Sequence, residues 1–187
     1  TKGFINVESF VVGLIAHNDR LYTVIRDFNK TNVAVYELSG RPEKVHSWKH
    51  SDMGIFSCGI YSKPLTVFRD QLVIADTKKL TIYSLTGKLL KVVECEKFTA
   101  SNVSLCHAGG DSIIVTNGDA SPALLKFNLA TAAVEWTSNA VKRPSAVTML
   151  NEEYALVTAS QSSHHAKLFI INQTTGEKRF LRFYMLQ

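Results

Sequence analysis

Four copies of one sequence pattern make up most of this 187-residue chain. The pattern is clearest in residues 111–136, DSIIVTNGDASPALLKFNLATAAVEW, which read as an acidic turn residue, a β-branched strand, a polar loop, an alternating strand, a tight turn and a closing strand. The residue that opens the second strand of each copy recurs at Leu21, Leu72, Ile113 and Tyr154, and the last two intervals are 41 residues each. A repeat of this length restricts the chain to architectures that stack copies of one small unit.

Each copy contains four short segments with the two-residue alternation of β-strands. In VAVYEL, for example, Val33 and Val35 face one way, and Ala34 and Tyr36 face the other. No segment sustains the 3.6-residue period of an amphipathic helix, and a β-sandwich would not recur unit by unit. The sequence therefore predicts an all-β fold, a β-propeller with four four-stranded blades at approximately residues 10–48, 64–94, 102–137 and 144–184.

Four blades allow two arrangements, a closed four-bladed ring or an arc of a larger propeller. In the first case residues 1–187 are a single β-propeller domain, and in the second they are a fragment of one. An open arc leaves two sheet faces in water, at a cost of roughly 25 cal/mol for each Å² of apolar surface. Dimerisation is therefore expected if the propeller is open.

The composition is that of an ordinary globular protein, with 45% hydrophobic and 20% charged residues. Cys58, Cys95 and Cys106 lie at unrelated spacings without a CxxC pair, which favours neither a disulfide framework nor a zinc site. The sequence has no signal-peptide pattern and no apolar window of about 18 residues. We therefore expect a soluble, intracellular protein in the cytoplasm.

The chain lacks the residue patterns of common catalytic sites, since GxSxG, HExxH and GxxxxGK[ST] are all absent. Cys106 and His107 are neighbours in a strand-like run, where a core cysteine is expected rather than a nucleophile. His164 and His165 form a loop pair without a third metal ligand at a defined spacing. We therefore expect no enzyme activity, no metal and no cofactor.

Acidic residues recur at the first hairpin turn of each copy. They are Asp19, Asp70, Asp111 and either Glu152 or Glu153. Because Asp initiates tight turns through its own side chain, a role in the turns is expected for these residues rather than a ring of catalytic carboxylates.

The ends of the copies read FNLATAAVEW, IINQTTGEKRF, IYSLTGKLLKV and VYELSGRPEKVHSW. They resemble the quinoprotein-like repeat, in which a strand, an Asp or Asn, a TG turn and a closing aromatic residue follow in order. They differ from WD repeats, because neither Trp48 nor Trp136 is followed by Asp. In its overall sequence pattern the chain is also similar to the propeller regions of invertebrate multidomain proteins of the TRIM and NHL type. That resemblance implies protein or RNA binding rather than catalysis.

The charged residues divide unequally between the two rims of a propeller. The loop rim, as we call it, carries the loops between second and third strands and between blades, and the hairpin rim carries the two hairpin turns of each blade. The loop rim has nine basic and six acidic residues, a net charge of +3, whereas the hairpin rim has five basic and seven acidic residues, a net charge of −2. We therefore predict that the loop rim binds an acidic peptide or RNA.

Seven residues are the predicted partner contacts on the loop rim, three aromatic and four basic. They are Trp48, His50, Tyr61, Lys78, Lys79, Lys142 and Arg143.

The predicted function is a non-enzymatic interaction module that binds a protein, or RNA, through this rim. The alternative is a quinoprotein-type enzyme or a small-ligand-binding propeller that uses the central channel. Such a site needs polar groups on the innermost strands, which are mainly apolar in this sequence.

Overall fold

The computed structural model describes residues 10–27, 30–51, 63–76, 78–98, 103–118, 120–162 and 165–179. All the regular structure in these ranges is β-strand, in four antiparallel sheets of four strands each. No helix in the described ranges is long and apolar enough to cross a membrane. The all-β prediction is therefore confirmed.

The strands follow one another within each sheet in chain order, so each sheet is a four-stranded meander. Blade 1 contains β1 (Phe10–His17), β2 (Arg20–Asp27), β3 (Lys30–Glu37) and β4 (Glu43–Ser51). Blade 2 contains β5 (Leu65–Phe68), β6 (Gln71–Asp76), β7 (Lys79–Ser84) and β8 (Leu89–Glu94). Blade 3 contains β9 (Val103–His107), β10 (Ser112–Asn117), β11 (Leu124–Asn128) and β12 (Ala133–Ser138). Blade 4 contains β13 (Pro144–Met149), β14 (Tyr154–Ser162), β15 (His165–Asn172) and β16 (Lys178–Arg179).

The first strand of each sheet is innermost, and contacts run from β1 to β5, from β5 to β9 and from β9 to β13. This arrangement around a common centre makes the protein a four-bladed β-propeller. The predicted blade limits at residues 102 and 184 lie outside the described residues.

The core of the propeller lies between the blades, where both faces of the middle strands are buried. In β6, Leu72 and Ile74 pack toward blade 1, whereas Val73 and Ala75 pack toward blade 3. The same alternation continues in blade 3, where Ile114 packs toward blade 4. Because successive strand residues point to opposite faces, one β-branched strand contributes to two interfaces at once.

The first hairpin turns of blades 1 and 2 use left-handed backbone at both central positions. Asn18 and Asp19 have φ values of 48° and 57°, and Arg69 and Asp70 have φ values of 46° and 56°. This geometry matches the twist of the flanking strands. The acidic residues lie at the turns as expected, but two of their carboxylates bind a neighbouring blade.

Asp70 lies 2.9 Å from Nε2 of His17 in blade 1, and Asp111 lies 2.9 Å from the Arg69 guanidinium. These carboxylates therefore link blades across the hairpin rim, a role that a local turn pattern does not reveal.

A β-bulge recurs in the outermost strand of blades 1, 2 and 3. The extra residues, which have no partner in the register, are Val45, Leu90 and Glu135, spaced 45 residues apart. A bulge increases the local twist and re-aims the side chains beside it. The side chain of the next residue in each strand therefore reaches the following blade.

Candidate partner-binding surfaces

Hydrogen bonds tie the loop rim together from blade 2 to the connection that follows blade 3. The Cys95 amide donates to the Lys78 carbonyl at 2.6 Å, which ties the β6–β7 turn to the connection between blades. The Asn117 side chain donates to the Lys97 carbonyl at 2.6 Å. Asn139 in the next connection accepts from the Ala123 amide at 3.0 Å. This part of the rim is therefore a bonded scaffold rather than a set of independent loops.

The four predicted basic contacts lie on this scaffold. Lys78, Lys142 and Arg143 are exposed, and Lys79 is half-buried at the start of β7. Lys78 and Arg143 have φ values of 60° and 51°. Left-handed backbone costs a residue with a side chain roughly 1–2 kcal/mol, and glycine would avoid that cost. The chain thus carries long basic side chains where glycine would be less strained, and such positions are often functional.

The carboxylate of Asp76 is turned away from the loop rim. His50 lies with Nε2 3.0 Å from Asp76 Oδ2, and the two side chains are only 1% and 5% exposed. The other imidazole nitrogen lies 2.9 Å from the Tyr83 hydroxyl. The Thr81 hydroxyl also donates to Asp76, at 3.4 Å. One of the acidic residues counted on this rim is therefore inside the protein, which leaves the rim surface more basic than the sequence indicates.

Burial, followed by the nearby Asp76 carboxylate, raises the pKa of the Tyr83 hydroxyl. The phenol therefore stays protonated and available to the His50 ring over the whole neutral range.

The aromatic residues predicted as partner contacts are placed differently from the basic ones. Trp48 packs between blades 1 and 2, with its ring centroid 5.8 Å from that of Tyr83. A Cβ atom added to Gly87 would lie 2.6 Å from the Trp48 ring, so the indole lies directly on this turn glycine. His50 is buried in the same interface, and Tyr61 lies outside the described residues. The partner contacts of these three residues stay a prediction.

A groove opens on the hairpin rim between blades 2 and 3, and the sequence pattern did not predict it. Its volume is about 290 Å³, and apolar side chains of Phe68, Ile82 and Leu129 line it. Leu90, the bulge residue of β8, forms one lip and is 45% exposed. Charged side chains complete the lining. They are Arg69, Lys91 and Asp111.

Of the remaining candidates from the sequence, the structure places Cys106 in the core. Cys106 is in the interface between blades 3 and 4, where burial raises the pKa of its thiol to about 12. A thiol that stays protonated at neutral pH is a poor nucleophile, which agrees with a core role. His164 lies outside the described residues. In the described ranges, no three His, Cys, Asp or Glu side chains form a group that could hold a metal ion.

No protein-family model and no curated protein matches this chain. Solved structures do match it. The WD40 domain of Neurospora crassa Pan2 superposes with a TM-score of 0.68 at 8% identity, over 92% of this chain and 49% of that one. A chain of a mitotic checkpoint complex gives 0.64 at 11% identity, over 91% of this chain and 51% of that one.

The computationally designed Ika4 protein gives 0.59 at 11% identity, over 87% of this chain and 92% of that one. The chain therefore spans about half the length of the Pan2 domain and of the checkpoint chain. At these identities the likeness concerns the fold. The quinoprotein-like and TRIM/NHL resemblances stay predictions, and the chain is similar in its propeller fold to a WD40 domain although neither of its tryptophans is followed by Asp.

Proposed function

We propose that this protein is a non-enzymatic interaction module whose loop rim binds an acidic segment of a partner protein. The observation that carries the proposal is the exposed basic surface of Lys78, Lys142 and Arg143 on a hydrogen-bonded scaffold, from which the Asp76 carboxylate is withdrawn. A basic surface on a rigid support attracts anionic segments and orients them.

A protein partner is favoured over RNA for a physical reason. Single-stranded RNA is bound largely by stacking its bases on exposed aromatic side chains. Trp48 and His50, the described aromatic candidates, pack between blades 1 and 2. A solved structure similar to this chain comes from a multiprotein complex, the mitotic checkpoint complex, which also supports a protein partner.

The test is titration of a fluorescent acidic peptide, ten residues of alternating glutamate and serine, at low and at physiological salt. We expect binding that weakens as salt rises, because exposed ion pairs are screened. Replacing Lys78, Lys79, Lys142 and Arg143 together by Ala should weaken binding at least about tenfold, which corresponds to about 1.4 kcal/mol. The matched control is the Arg41→Ala, Lys88→Ala variant, which removes exposed cations from the hairpin rim.

Unchanged binding in the fourfold variant would show that the loop rim is not the site. A ten-nucleotide uridine RNA, titrated in parallel, decides the partner class, since tighter binding of this RNA than of the peptide contradicts a protein partner. The quinoprotein-type alternative needs polar groups facing the channel, and the described side chains of β5 and β9 are mostly buried and apolar. Dimerisation follows only from an open arc and stays a prediction.

A further inference from the structure

The groove between blades 2 and 3 lies beside a strand position that carries a ring bonded to the next blade at both neighbouring interfaces. Between blades 3 and 4, the Trp136 indole N–H donates to the Gln173 carbonyl at 2.8 Å. The same ring lies on Gly176, where an added Cβ would be 2.9 Å away. Between blades 1 and 2, His46 donates to the Thr86 carbonyl at 2.9 Å.

His46, Lys91 and Trp136 are equivalent residues, since each directly follows the bulge of its outermost strand and they are spaced 45 residues apart. Lys91 reproduces the hydrogen bond of Trp136, because its ammonium group donates to the Leu129 carbonyl at 3.0 Å, whereas the acceptor of His46 lies one residue further along its turn. A lysine has no ring to fill the space above the β11–β12 turn. The structure accordingly has a groove of about 290 Å³ at this interface.

The size and the lining of the groove indicate what fits it. Pockets for whole small molecules usually measure roughly 300–1,000 Å³, so this groove suits one large side chain. Its floor is apolar, and Leu90 is exposed at the lip. An aromatic ring would bury these surfaces and restore the packing that Trp136 provides in the next interface.

The charges at the groove favour a ring and an acidic neighbour. Arg69 lies with its guanidinium carbon 5.2 Å from the centre of the Phe68 ring and also binds Asp111 at 2.9 Å. With Lys91, the lip therefore carries two cations and one carboxylate. Cations are attracted to the negative face of an aromatic ring, and the excess positive charge attracts a carboxylate beside it.

We propose that this groove binds an aromatic side chain, tryptophan above all, carried by an acidic segment of a partner protein. The site lies on the hairpin rim and does not depend on the basic residues of the loop rim. It is therefore a second interaction surface, separate from the one in the proposed function.

The probe is a blocked tripeptide of glutamate, tryptophan and glutamate, titrated into the isotopically labelled protein and followed by amide chemical shifts in NMR. We expect saturable shifts at Phe68, Leu90 and Leu129. The tripeptide with alanine in place of tryptophan should bind at least about tenfold more weakly, and the tripeptide with lysines in place of glutamates should be weakened by a smaller factor.

Two variants test the groove, one by filling it and one by removing part of its lip. Lys91→Trp places the protein's own indole where Trp136 lies in the next interface, so we expect it to abolish binding of the probe. Leu90→Ser removes an exposed side chain of the lip without disturbing the core, and should weaken binding several-fold. The control is Leu89→Ser, because Leu89 is similarly exposed at 54% but pairs with Tyr83, which packs toward blade 1.

Shifts that map to another part of the propeller would overturn the proposal. So would equal binding of the tryptophan and alanine tripeptides, or equal effects of the Leu90 and Leu89 substitutions. If Lys91→Trp does not fold, the comparison of Leu90→Ser with Leu89→Ser still decides the outcome, since both residues are on the surface.

Discussion

Individual glycines in this protein have the same backbone geometry but different surroundings. Gly40 and Gly87 end equivalent hairpin turns with φ values of 89° and 86°. Glycine adopts a positive φ without steric cost, which suits the SGR turn at residues 39–41. A Cβ at Gly40 would meet nothing within 4 Å, whereas at Gly87 it would lie 2.6 Å from the Trp48 ring. Only the tertiary structure separates these two glycines.

The comparison of Gly87→Ala with Gly40→Ala measures that difference. Both variants place alanine in left-handed backbone, which costs roughly 1–2 kcal/mol. Gly87→Ala must also displace the indole, and overpacking of this kind adds about 1–3 kcal/mol. We expect urea unfolding midpoints to fall for both variants and to fall further for Gly87→Ala. Equal losses would mean that Trp48 does not pack on this turn.

The outermost strands of blades 1 and 3 each place a tryptophan on the next blade, but at different positions of the strand: Trp136 directly follows the bulge of β12, whereas Trp48 lies two residues beyond the equivalent position in β4. In β12, the Trp136 N–H donates to the Gln173 carbonyl. In β4, the Trp48 indole nitrogen is buried and forms no hydrogen bond with the described chain. The two tryptophans therefore cover a turn glycine in the same way but differ in hydrogen bonding.

Replacing each tryptophan by phenylalanine tests this difference between the strands. Trp136→Phe loses a hydrogen bond worth about 0.5–1.5 kcal/mol in addition to some packing. Trp48→Phe loses packing but also removes a buried donor without an acceptor, and leaving such a donor unsatisfied costs about 1–3 kcal/mol. Calorimetry should therefore give a larger drop in Tm for Trp136→Phe. A larger drop for Trp48→Phe would contradict the hydrogen-bond assignment.

The whole molecule is stabilised by clusters of buried side chains between blades, and the cluster between blades 3 and 4 contains the thiol of Cys106. Burial in the cluster between blades 3 and 4 raises the pKa of the Cys106 thiol from its usual 9.0 to about 12. Below pH 9 the thiol is protonated in both the folded and unfolded states. Between pH 9 and pH 12 the unfolded chain loses this proton and the folded protein keeps it, so the free energy of unfolding falls as pH rises.

Cys106→Ala isolates this effect from the titration of lysines and tyrosines, which both proteins share. The variant should be less stable at pH 7, because it loses buried side-chain volume. Above pH 9 the difference in unfolding free energy should shrink by up to about 1.4 kcal/mol for each pH unit. The measurement is chemical denaturation of both proteins at several pH values from 7 to 10.5, and a constant difference would mean that the thiol is not buried in the folded protein.

The sequence by itself determined the strands, their order and the blades. Strand alternation and turn residues act between neighbours in the chain, so VAVYEL, QLVIAD and the repeat of about forty residues are readable without a structure. The basic residues of the loop rim were readable for the same reason, because position within the repeat assigns each loop to a rim.

The tertiary structure decided what lies between the blades. The His50–Asp76 pair joins residues of different blades. The prediction from the sequence therefore treated Asp76 as a surface charge and His50 as a partner contact on the loop rim. The groove beside Lys91 arises because that residue replaces a ring whose neighbours come from the next blade. Packing between blades depends on which side chains contact each other across the interface. The sequence pattern within one blade does not indicate which residues of the next blade it will contact.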